Sequence, residues 1–155
     1  MAMTTYLKEK VLNYLFQTDP TALGTAITTL TTNTGYYIGL SLTQVDETGI
    51  ASVTEPVTTG GSNYARVQLE TGTTNYSIAG TQSASYAIGN ETVVTFPTAG
   101  ADWGKALSIF LADTATRATG NVWWYADLSP AITIVTTTAV SFGIGSLVFM
   151  LDSTI

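Results

Sequence analysis

Short runs of alternating apolar and polar residues recur along this chain at roughly 8–12-residue spacing, separated by Gly, Thr and Asn. That rhythm belongs to a β-sandwich or barrel. In 36–45, Ile38, Leu40 and Leu42 share one face. In 63–70, Ala65, Val67 and Leu69 fall on one side and Tyr64, Arg66, Gln68 and Glu70 on the other. This predicts a half-buried antiparallel strand, with Arg66 paired to an acid on an adjacent strand or, as the second choice, contacting a partner subunit. Further short runs occupy 75–79, 84–88, 91–96, 105–111, 131–136, 139–142 and 146–151. One segment departs from the period of two. Leu7, Val11, Tyr14 and Leu15 recur at helical spacing, which predicts a helix over 5–17, capped by Thr5 and stopped before Pro20. A helix this short is marginal alone and must dock, on its own sheet or on a neighbouring subunit.

Two stretches organise the rest. In 95–104 an alternating run ends at Pro97, small residues follow, and Trp103-Gly104 opens the next apolar run. This reads as a corner where the chain passes from one sheet to another, with Trp103 as an apolar plug over the core. Asp102 is a weak catalytic candidate, having no acid–base partner nearby in sequence. In 121–127, strict alternation puts Trp123 with Tyr125 on one face and Trp124 with Val122 and Ala126 on the other. Both faces then need cover from a second sheet, the helix or another chain. Leu7, Val11, Tyr14, Trp123, Trp124 and Tyr125 are therefore the inter-subunit contact candidates. The stretch 51–61, with Pro56 and Gly60-Gly61, reads as a long surface loop, and the Thr-rich 21–34 as an extended segment or loop. The expected fold is a single all-β domain over 1–155: a jelly-roll-like antiparallel β-sandwich (36–152) with one short N-terminal α-helix (5–17).

Composition narrows the chemistry. The 155 residues contain no Cys and no His, which removes disulfides, thiolate chemistry and the commonest general base and zinc ligand. Charged residues make up 10% of the chain, against about 25% in typical domains, whereas Thr occurs 30 times. A surface of hydroxyls with little charge repulsion suits a protein that lives against neighbours. Net charge is −6, and the five basic residues Lys8, Lys10, Arg66, Lys105 and Arg117 form no stripe, which argues against nucleic-acid binding. The apolar stretch 139–151 is too short to span a membrane, and 1–6 does not read as a signal peptide. On that reading the Asn-x-Ser/Thr triplets at Asn75 and Asn90 are coincidental. Carboxylate pairs such as Asp102 with Asp113, or Glu70 with Glu91, could serve a glycosidase. Most of the acids, though, lie at predicted turns or strand ends. No nucleotide-binding glycine motif or metal-ligand cluster is present in the sequence, so the expectation is a non-enzymatic building block without metal or cofactor.

Several blocks recur together in one known family: Tyr6-Leu7-x-x-x-Val11-Leu12-x-x-Leu15-Phe16, Tyr37-Ile38-Gly39-Leu40, and Tyr64-Ala65-Arg66-Val67. They continue with Phe96-Pro97-x-Ala99-x-Ala101-Asp102-Trp103-Gly104 and Gly120-Asn121-Val122-x-x-Tyr125-Ala126-Asp127-Leu128-x-Pro130. This arrangement resembles small tailed-phage virion structural proteins, often labelled phage tail fibre proteins. The run 108–113 departs from the family pattern. The resemblance implies a virion protein made in the bacterial host cytoplasm, with no catalytic residues. Three roles follow as expectations. The first is a capsid decoration (cement) subunit, a homotrimer contacting the major capsid protein. The second is a tail-associated fibre or adaptor subunit contacting tail proteins. The third, from a different class, is a carbohydrate-binding or glycan-hydrolysing sandwich using Trp123 or Trp124.

Overall fold

The computed structural model describes residues 2–6, 8, 36–69, 76–78 and 86–151. Ten strands run through them: β1 (Ala2–Met3), β2 (Tyr36–Ser41), β3 (Val67–Leu69), β4 (Tyr76–Ile78), β5 (Tyr86–Asn90), β6 (Val94–Thr95), β7 (Gly104–Ala112), β8 (Val122–Ile134), β9 (Ser141–Phe142) and β10 (Val148–Leu151). They form a five-stranded sheet in the order β1-β8-β7-β2-β3, a three-stranded sheet β10-β5-β4 and a two-stranded sheet β6-β9. Every pairing is antiparallel.

The all-β expectation holds, but the jelly roll with an N-terminal α-helix does not. A jelly roll divides eight strands over two sheets. Here β7 and β8, of nine and thirteen residues, concentrate the pairing in one large sheet, and two smaller sheets accompany it. No helix of seven or more residues occurs among the described residues. At the N-terminus, Ala2 and Met3 pair with Tyr125 and Trp124. Thr5, Tyr6 and Lys8 then take helical conformation, with Lys8 N–H donating to Thr4 O at 3.1 Å. Residues 9–35, with most of the expected helix and the whole Thr-rich segment, lie outside the described residues.

The central strands are buried on both faces. On one side Ile38, Leu40, Ile109 and Leu111 join Phe96, Trp103, Trp123, Ile134 and Phe149 in the main core. On the other, Phe110, Ala112 and Val122 pack with Val45 under Ile50 and Val53, around a single 3-10 turn at Gly49–Ser52. Gly39 is paired with Phe110, and a Cβ there would sit 2.2 Å from Phe110 Cζ. The missing side chain is therefore space that the Phe110 ring fills.

The corner at 95–104 forms as its sequence predicts. The chain leaves the two-stranded sheet at Thr95, crosses, and enters the large sheet at Gly104. Trp103 is 3% exposed and donates its indole N–H to Ser62 O at 2.6 Å. Its ring meets Tyr64 edge-on at 5.2 Å.

The expected division of the tryptophans between two faces is wrong, and the reason is local. Leu111 pairs with Trp124 while the next residue, Ala112, pairs with Val122, so Trp123 is an extra residue on β8. Such a bulge interrupts the period of two. Both indoles consequently turn toward the main core, stacked at 6.4 Å and 25°. Tyr125 goes to the opposite face. A second irregularity sets residues 128–131 of β8, including the cis Ser129–Pro130 bond, against Leu107 alone.

Candidate functional site

Beside Phe110 on the second face lies a buried knot of charge. Arg66 and Glu55 have fully buried side chains, and their contact is bidentate: Nε to Oε1 and Nη2 to Oε2, both 2.9 Å. The remaining guanidinium nitrogen, Nη1, donates to Thr114 O at 2.8 Å and Thr119 O at 3.2 Å. The guanidinium carbon sits 5.1 Å from the Phe110 ring centroid. Glu55 also accepts from Tyr64 OH at 2.8 Å and from Ala118 N–H at 2.7 Å. Arg117 reaches back over the same loop, donating to Pro56 O at 2.8 Å and Glu55 O at 2.9 Å. A buried ion pair is tolerable only when its remaining donors and acceptors are met in this way.

The electrostatics follow from these contacts. Burial pushes the Glu55 carboxyl up, but the hydrogen bonds from Arg66, Ala118 and Tyr64, with the Arg66 charge, outweigh it and hold it below the usual carboxylate range. Burial and then the Glu55 charge push the Tyr64 hydroxyl well up, so it stays protonated and donating. All three Arg66 nitrogens and both Glu55 carboxylate oxygens are paired within the fold. The knot shapes loops; it has no reacting centre.

Arg66 was the legible half of this pair, and it does bind an acid. The acid is on no strand. It lies 11 residues upstream in the stretch expected to be a surface loop, where Glu55 and Pro56 are buried instead. No alternation marks 51–61, so periodicity had no means of flagging Glu55. Its position just before a proline, in a chain with five cations, is the only signal the sequence holds.

The other candidates are scattered. Leu7, Val11, Tyr14 and Glu70 lie outside the described residues. Trp123 is 2% exposed within its own chain, between the edge-on rings of Tyr6 at 5.6 Å and Tyr36 at 6.1 Å. Among the described residues its indole N–H has no hydrogen-bond acceptor. Trp124 and Tyr125 are half-buried. Asp102 is exposed and accepts from Thr136 N–H at 2.7 Å and Thr136 Oγ1 at 3.0 Å, bonds that hold its carboxyl below the usual range. Asp113 is bound to Asn121 just past the far end of β7, so that strand separates it from Asp102. At about 3.3 Å per residue this is far beyond the spacing of a glycosidase pair. The Asn90 triplet is no glycan acceptor: Asn90 is 2% exposed, and its amide holds Thr92 O, Gly143 O and Leu147 N–H.

A half-open hollow of about 340 Å³ lies between residues 4–6, 47–50 and 120–122. Many of its polar groups are engaged within the fold. The Thr4 hydroxyl donates to Val122 O, Thr48 to Asp46, and the Asn121 amide to Asp113 at 2.8 Å, while Glu47 pairs with Lys8 at 2.8 Å.

No curated protein matches the chain. Residues 2–150 match the family described as podophage GP4 fiber I protein gp80. The match spans nearly the whole sequence, agrees with the virion resemblance of the sequence blocks, and supports a structural, non-catalytic role and a virion-associated location. This chain belongs to the podophage GP4 fiber I protein gp80 family.

Proposed function

We propose that the protein is a structural subunit of a tail-associated fibre or of the adaptor that carries it. The observation behind this reading is the family match over 2–150, whose description names a fibre protein. Two features of the molecule support it. Its central sheet is packed on both faces and tied by a buried charge knot, a build suited to holding shape. Its composition, poor in charge and rich in Thr, suits contact with neighbouring protein. Self-association as a homotrimer belongs to the same proposal, with half-buried Trp124 and Tyr125 as the described contact candidates.

Immunogold electron microscopy of intact virions, together with blotting of separated heads and tails, tests the location. Label on tails and signal in the tail fraction are expected. Signal in heads alone would sink the tail reading and return the capsid decoration role. Light scattering after size exclusion at micromolar concentration gives the oligomeric state, and a monomer at all concentrations would remove the trimer.

A further inference from the structure

The loop joining β7 to β8, residues 113–120, contributes nothing to the apolar core. Ala115 and Ala118 are both exposed, and no residue of the loop is fully buried. What holds it comes from elsewhere in the chain. Glu55 accepts from Ala118 N–H, Arg66 donates to Thr114 O and Thr119 O, and Arg117 grips the carbonyls of Glu55 and Pro56. At its neck Asp113 accepts from both the backbone and side-chain amides of Asn121 at 2.8 Å. Ala118 sits at φ +57°, a left-handed conformation that costs a residue with a Cβ and persists only where its surroundings impose it.

We propose that residues 113–120 form a strap that opens as a unit about its Asp113–Asn121 neck while the apolar faces of the large sheet stay packed. Segments that open below the global free energy have few buried apolar contacts, as here. Opening also returns water to the Glu55–Arg66 pair, whose desolvation is the costly part of burying it. The neck residue Asn121 lines the 340 Å³ hollow, so opening the strap would also reshape that surface.

Limited trypsin digestion of the full chain at neutral pH, with cleavage after residue 117 read by mass spectrometry, tests this. Arg117→Lys keeps a trypsin site but loses the two-carbonyl grip. Cleavage there is expected to be at least about tenfold faster than in the parent protein, as the loss of one charge-assisted hydrogen bond implies. Intrinsic fluorescence, from Trp103, Trp123 and Trp124 together, should keep its folded-state value throughout. The cleavage rate should respond weakly to urea, because little surface is exposed by opening the strap. Glu55→Gln, if it folds, should behave alike; if it does not, Arg117→Lys decides alone. Unaltered protection in Arg117→Lys, or a urea dependence equal to that of global unfolding, would overturn the proposal.

Discussion

The two faces of the large sheet are closed by opposite means. Around Trp103 the cover is aromatic and aliphatic: Phe96, Tyr64, Ile38, Leu40 and Ile134, each 4% exposed or less. Around Phe110 the apolar set is small, with Val45, Ala112 and Val122, and Arg66 with Glu55 completes the cover. The first kind of closure is graded, since each lost methylene costs a little. The second is conditional, since a paired buried charge becomes a liability once its partner is gone.

Paired substitutions separate these two behaviours most strongly. Trp103→Ala and Glu55→Ala should each destabilise by about 3–5 kcal/mol in urea denaturation. Adding Arg66→Met to Glu55→Leu should then cost less than Glu55→Ala alone, because no unpaired charge remains buried. A double variant worse than either single one would show that the second face needs the charges themselves. Gly39→Ala probes the seam between the two closures. Its new methyl must displace the Phe110 ring, and a loss of about 1–3 kcal/mol is expected. Phe110→Leu in the same chain should return part of that loss, and no interaction between the two changes would contradict the packing described.

Acid should act on one face first. The folded-state pKa of Glu55 is lowered, so its contribution is complete above the unfolded value of about 4.3 and is lost as pH falls through the lower folded value. Stability measured between pH 6 and pH 3 should therefore drop more in the parent protein than in the double variant; equal slopes would remove Glu55 from the account. The smallest effect expected is at Thr137, a β-branched residue at φ +70° in the turn whose Thr138 N–H donates to Val135 O at 3.0 Å. Thr137→Gly should gain up to about 1 kcal/mol by relieving that conformation, seen as a slightly higher midpoint. A loss would show that the Thr side chain matters more than its backbone.

Much of the first face was readable in the sequence, because alternation and large aromatics announce an apolar core. Ile38, Leu40 and the Trp103 corner stand where their spacing puts them. Little of the second was, because its cover depends on Glu55, in a stretch without periodicity, and on Arg66, whose burial makes sense only with that partner in place. Sequence reasoning also failed at Trp123. One added residue in a ladder inverts the facing of whatever follows, and nothing in Asn121-Val122-Trp123-Trp124 signals that the addition falls there. The strand split that defeated the jelly-roll expectation has a similar origin. Alternation shows that a strand exists and which side is greasy, but not which strand lies beside it.

The kink where residues 128–131 face Leu107 has a consequence for crowding. Among the described residues, the outer margin of β8 is matched only by Ala2 and Met3, and farther along it carries Pro130. A straight, greasy margin would invite the same margin of the next molecule to zip onto it. This one has its pairing interrupted at residues 128–131 and lacks a donor at the proline, so copies of the chain brought side by side would meet through chosen surfaces and not by runaway strand stacking.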